Sequence, residues 1–285
     1  MIESADFEKW IEAVHNIFVI FEGRFDAYPI SRRWTEEWYS EGSFNILEDD
    51  IERLHRLKEN FDYSTFGIDK ISFQERIDNQ FNNLIEKLKS NNNGENIGFG
   101  IAPYLFCWNF QRFRIYFQQN SNFDLNQYFQ NLGDFFANIK GKLRNFSERK
   151  IYSCEIDKNE IKEIFNEINK KLKKLGIKQN EPVGVAKLLH IFAPYYFPLI
   201  DNPIAEATGL KQRRRRSLTV DEYVKWMKSL KNWIRNYNEE KIKNIESRYG
   251  ESILKLIDEG FYVMSSVNLS LRIKLMGLET DCYDE

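Results

Sequence analysis

Asp201 is the residue of this chain best placed to do chemistry. It closes the run Phe197-Pro198-Leu199-Ile200, and Pro203 follows two positions later. A carboxylate fixed at such a turn can cap the helix that starts there, or it can face an open site and stabilise a cation. The window around it, Glu181 to Leu210, holds four of the six prolines of the chain. It opens with Pro182-Val183-Gly184-Val185-Ala186-Lys187, which reads as a tight hairpin feeding a helix. Proline suits a first helical turn, and the unpaired amides of a helix start can hold a phosphate without any side chain. Gly184, Val185, Ala186 and Lys187 are therefore candidate phosphate-holding residues. Directly after the window come Lys211 and four consecutive arginines, Arg213, Arg214, Arg215 and Arg216. Arginine forks bind phosphate in a bidentate way and stack on bases.

Three pieces of this window, Val183-Gly184-Val185-Ala186, Phe197-Pro198-Leu199-Ile200-Asp201 and Thr208-Gly209-Leu210, together resemble the helix-hairpin-helix DNA glycosylase superfamily. The resemblance covers residues 181–210 of the 285. It implies a mostly α fold, a DNA backbone held by hairpin amides, and Asp201 stabilising positive charge at a sugar carbon. The pattern departs from the family in three places. Ala186 stands where the second hairpin glycine belongs, the loop before Asp201 is short, and the nucleophilic lysine of the bifunctional members has no counterpart. What the resemblance implies for catalysis is thus limited to an Asp-dependent, monofunctional chemistry.

The charge pattern points the same way from independent residues. Net charge is −2 overall, yet residues 1–90 carry −8 and residues 207–235 carry +7. A basic block set between acidic regions suits a localised anionic partner. Beyond the arginines, the block holds Lys225, Lys228, Lys231 and Arg235, and helical spacing puts Lys228, Lys231 and Arg235 on one face. Trp226 and Trp233 could stack on bases. Their spacing with Val224, Leu230 and Ile234 also fits a buried stripe. The alternatives for the arginines are a patch that meets an acidic protein and a solvated loop.

Other chemistries find little support. The cysteines Cys107, Cys154 and Cys282 are odd in number and far apart, and His15, His55 and His190 are scattered, so no zinc site is expected. Neither a P-loop nor a GxGxxG fingerprint occurs, and no cofactor is expected. The acids Glu48, Asp49, Asp50 and Glu52 could suggest a metal nuclease, but such a cluster also opens a helix electrostatically. No run of apolar residues is long enough for a membrane span, and the first residues lack a secretory pattern. A cytoplasmic location is the expectation.

The elements that must position these residues read as helices. Phe7, Trp10, Ile11, Val14, Ile17, Phe18 and Phe21 form one apolar stripe, and Phe73, Ile77, Phe81, Leu84 and Leu88 form another. Residues 102–119 fit a buried helix or a strand. Asp124/Gln127, Asp157/Glu160 and Thr219/Glu222 resemble capping boxes. Residues 149–156 are the best strand candidate. The expectation is a mainly α, multi-helix protein with few or no strands and a helix-hairpin-helix-like element in its C-terminal half. The division expected is an aromatic-rich helical region, 1–147, and a helical region with the hairpin and basic patch, 148–285. Three functions follow in order: a non-catalytic nucleic-acid-binding protein using the hairpin and the arginine cluster, for DNA or RNA; an interaction subunit docking a protein in a prokaryotic nucleic-acid-processing or defence complex, such as an Argonaute partner; and a glycosylase acting through Asp201.

Overall fold

The computed structural model describes residues 4–23, 26–59, 63, 70–90, 94–176, 178–210 and 217–266. Among them are fourteen helices and no strand. In chain order they are α1 (Ser4–Phe21), α2 (Tyr28–Glu41), α3 (Glu48–Glu59), α4 (Ile71–Ser90), α5 (Ile97–Trp108), α6 (Phe110–Gln119) and α7 (Leu125–Asn138). Then come α8 (Lys140–Ser147), α9 (Lys158–Leu175), α10 (Pro182–Phe192), α11 (Asn202–Ala207), α12 (Val220–Ile234), α13 (Glu239–Tyr249) and α14 (Ile253–Ser266). The mainly α expectation therefore holds, and an isolated bridge between Phe44 and Gly94 is the only β-type pairing among the described residues.

The chain forms two compact units, and both are discontinuous in sequence. Unit 1 takes residues 1–24, 149–163 and 194–285; unit 2 takes 25–148 and 164–193. In unit 1, α1 packs along α14, and α11 and α13 also lean on α14. The stripe predicted for α1 is the reason: Phe7, Ile11, Val14, Ile17 and Phe18 are all at most 3% exposed. Each such burial contributes about 1.5–3 kcal/mol.

Unit 2 is built on an aromatic core under α5, α6 and α7. Phe106, Phe110, Phe113, Tyr116, Phe117 and Phe129 are all buried, and neighbouring rings meet at 5–6 Å, many of them edge to face. Helices α5 and α7 approach so closely that only glycine fits: a Cβ on Gly98 would lie 1.9 Å from the Phe129 carbonyl oxygen. Asn96 secures that approach. Its Oδ1 caps α5 by accepting from the Gly98 amide, and its Nδ2 donates to the Gln130 carbonyl and to Asp134.

Residues 149–156 are not a strand. The Ser153 and Cys154 amides both donate to the Lys150 carbonyl, at 3.2 and 2.9 Å, which makes consecutive turns. Alternation of apolar residues there is too short to compete with these local bonds. Residues 102–119 are helical and break at Asn109 into α5 and α6.

Candidate functional site

Helix α12 organises the candidate surface of unit 1. The Thr219/Glu222 capping box opens it: the Thr219 amide donates to Glu222 Oε2 at 2.7 Å and the Glu222 amide to Thr219 Oγ1 at 3.3 Å. One side of the helix buries Tyr223, Trp226, Met227, Leu230 and Ile234. From that side the Tyr223 hydroxyl donates to the Pro198 carbonyl and the Trp226 indole to the Leu199 carbonyl, at 2.9 and 3.0 Å. The proline-bracketed turn before Asp201 is thus held by α12. Trp226 is an anchor in the core, 5% exposed.

The opposite side of α12 is exposed and carries Asp221, Lys225, Lys228 and Arg235. Lys158 and Lys162, on the first two turns of α9, both reach Asp221 Oδ1, at 3.1 and 2.8 Å. Lys162 first and Lys158 second hold the Asp221 carboxyl below the usual range. Two ammonium groups share one carboxylate, so the local balance stays positive. Further along, Arg235 donates through Nε to the Tyr152 carbonyl at 3.4 Å. It lines an open groove with Tyr152, Ser153, Tyr237, Glu239 and Ile242. Burial pushes the Tyr152 hydroxyl up to about 12, so it stays protonated at neutral pH. It donates to Glu246 at 3.2 Å. Glu239 is itself paired with Lys243, at 2.9 Å.

The residues singled out from sequence scatter across this picture. Lys228 is exposed on the stripe. Lys231 is not: it is 9% exposed, and its ammonium donates to the Cys154 carbonyl. Burial, and then Arg235, pull its pKa down. The signal was readable, since Lys231 lies four residues after Met227 and three before Ile234, on the apolar stripe. Asp201 is the N-cap of α11, accepting the Ile204 amide at 2.8 Å. Lys211 and Arg213 to Arg216 lie outside the described residues.

Gly184, Val185, Ala186 and Lys187 are in unit 2, within α10, and all four are buried. Pro182 starts the helix early, so the Val185 amide already donates to the Glu181 carbonyl at 2.9 Å. Lys187 donates to the Trp108 carbonyl, and His190 shares a hydrogen bond of 3.0 Å with the Tyr28 hydroxyl. The N-terminus of α10 is faced by an acid rather than open to an anion. Glu181, 3% exposed, accepts from the Tyr116 hydroxyl and lies 3.7 Å from Arg112. Burial raises its carboxyl pKa, against the pull of Tyr116 and Arg112.

The acids Glu48, Asp49 and Asp50 form the first turn of α3. Asp50 accepts from the Leu47 amide and from Arg33. Among the described residues no group of three or more His, Cys, Asp or Glu side chains is arranged to hold a metal ion. Nor, among those residues, is any helix long and apolar enough to cross a membrane. No protein-family model, curated protein or solved structure matches the chain.

Proposed function

We propose that this protein is a non-catalytic nucleic-acid-binding protein that grips the phosphate backbone with the exposed side of α12. The observation that carries this reading is the cationic stripe Lys225, Lys228 and Arg235, which continues the Lys158/Lys162 pair around Asp221. At about 1.5 Å per helical residue, Lys225 and Arg235 lie roughly 15 Å apart along the axis, which spans about four base steps of one strand. In the sequence, Lys211 and Arg213 to Arg216 lead directly into this helix and supply the clamp. The α9–α10 pair, joined through residues 176–181, is what supports a helix-hairpin-helix-like element.

Fluorescence anisotropy with labelled single- and double-stranded DNA and RNA, at two salt concentrations, tests this. Wild type is expected to bind with strong salt dependence. Alanine at Lys225 and Lys228, or at Arg213 to Arg216, is expected to weaken binding. The log–log salt slope on duplex DNA should flatten by about 0.9 for each phosphate that is no longer neutralised. Absence of binding by wild type at low salt overturns the proposal.

A second reading is the interaction subunit of a prokaryotic nucleic-acid-processing or defence complex, with an Argonaute as one such partner. It is favoured by Val19 and Ile20, adjacent on α1 and 49% and 61% exposed. Affinity capture that loses a specific partner on Ile20→Asp would support it. The third reading, an Asp201-dependent glycosylase, predicts that Asp201→Asn abolishes base release while binding persists. Equal turnover by wild type and variant removes it.

A further inference from the structure

We infer that unit 2 carries a second phosphate-binding surface, where α7, α8 and α9 meet, and that it holds nucleic-acid backbone; this rests on the nucleic-acid reading above. The surface is built from two tethers. Lys142 on α8 pairs with Glu167 on α9 at 3.0 Å, and the Lys171 ammonium on α9 sits 5.7 Å from the centre of the Phe135 ring on α7. Helical spacing puts Glu167, Lys170, Lys171 and Lys174 on one face of α9, with Lys170 and Lys174 exposed. Arg144, also exposed, extends the patch along α8, where it lies 3.7 Å from the exposed Glu148.

The charge here is unbalanced in a particular way. Between Ile168 and Asn180 the chain has five lysines and no acid. The negative end of the α9 dipole favours cations only within its last turn, which accounts for Lys173 and Lys174 but not for Lys170 and Lys171. Burial, and then Lys174, lower the pKa of Lys171, while Asp134 alone opposes them. Like charges held close by packing cost free energy until an anion arrives, and the two tethers fix part of that crowding before any ligand binds. The partner is a polyanion rather than an apolar protein face. Among the described residues the exposed large hydrophobic side chains are Val19, Ile20, Leu47, Ile71 and Met264, and none lies on α7, α8 or α9. The surface therefore lacks the apolar anchors around which protein interfaces concentrate their affinity.

The test uses the full chain and labelled duplex and single-stranded oligonucleotides. The triple variant Lys142→Gln, Lys170→Gln, Lys174→Gln is compared with wild type and with the Lys225→Ala, Lys228→Ala variant, after thermal unfolding shows each is folded. The triple variant is expected to bind about tenfold more weakly near physiological salt, with the salt slope reduced by about two to three on duplex DNA. Glu167→Gln, which removes the carboxylate neutralising Lys142, is expected to tighten binding about two- to fivefold; this arm needs no loss of structure to read out. If wild type binds and the α12 variant weakens it while the triple variant and Glu167→Gln match wild type in affinity and slope, this second surface is refuted and the proposed function stands. If wild type binds no nucleic acid at low salt, both fall.

Discussion

Glu181 in unit 2 and Glu259 in unit 1 are equally buried, each 3% exposed, yet their carboxyl pKa values move in opposite directions. Burial is the largest influence on both and pushes both up. In unit 2 the compensation is a neutral donor, the Tyr116 hydroxyl, with Arg112 only at 3.7 Å, and burial wins. In unit 1 the Lys255 ammonium stands 3.0 Å from one Glu259 oxygen and His15 Nδ1 stands 2.7 Å from the other. Together they outweigh burial and hold the carboxyl below its usual range. Lys255 is itself backed by the Phe18 ring, 4.2 Å away. Direct contact with a fixed cation offsets the cost of burying a carboxylate where a neutral donor and a more distant guanidinium do not.

The comparison can be broken most forcefully at Lys255. Lys255→Met leaves Glu259 buried beside His15 alone, and urea unfolding is expected to show a loss of about 3–5 kcal/mol. A loss under about 1 kcal/mol would mean that His15 suffices and that direct contact with a fixed cation is not the deciding factor.

Acid titration separates the two glutamates next. Because the folded Glu259 carboxyl is depressed, its contribution is present above the ordinary carboxylate value of about 4.3 and is lost as pH falls through the folded value. Glu259→Gln should therefore flatten the acid limb of a melting-temperature profile. The two helix caps come third. Asp201 accepts the Ile204 amide, whereas Glu181 makes no side-chain cap bond. Asp201→Ala should cost about 1 kcal/mol in denaturant unfolding.

Glu181→Gln should do the reverse of a normal cap deletion. The amide oxygen can still accept from Tyr116, and the cost of a buried charge disappears. At pH 7 the expected change runs from none to a gain of about 1 kcal/mol. Because the folded carboxyl is raised, ionisation opposes stability as pH climbs above the ordinary value. The gain should therefore shrink as pH falls and vanish below about pH 4. A gain that persists in acid would trace instead to packing.

Much of the helical layout was legible because apolar spacing leaves little choice. The α1 stripe, Asp124 as the cap of α7 and the reciprocal Thr219/Glu222 box all appear where the residues put them. Asp157 also caps its helix, but Glu160 turns away to make a two-pronged pair with Arg149 at 2.6 and 2.8 Å. No local pattern predicts that competition. Three lysines were harder to read. Lys187, Lys231 and Lys255 are each 9% exposed or less, and each spends its charge on a carbonyl or carboxylate brought in from elsewhere in the chain or a turn away. Composition marks a lysine as surface material; only its place on an apolar stripe hints otherwise. The discontinuity of both units is also silent in sequence: one of the crossings, for example, falls inside the continuous helix α9, whose apolar spacing does not change there.

The pairing of α1 with α14 has a consequence for synthesis. His15 and Glu259 are 244 residues apart in the chain. At about 5–20 residues per second, translation takes roughly 12–50 s to deliver the partner of α1. Phe7 meets Trp233 and Tyr237 somewhat earlier, but until α14 is made the rest of the α1 stripe lacks the helix it packs along. Unit 2, whose last residues come earlier, can close first, so during synthesis the longest-exposed apolar surface is that of α1 rather than the aromatic centre.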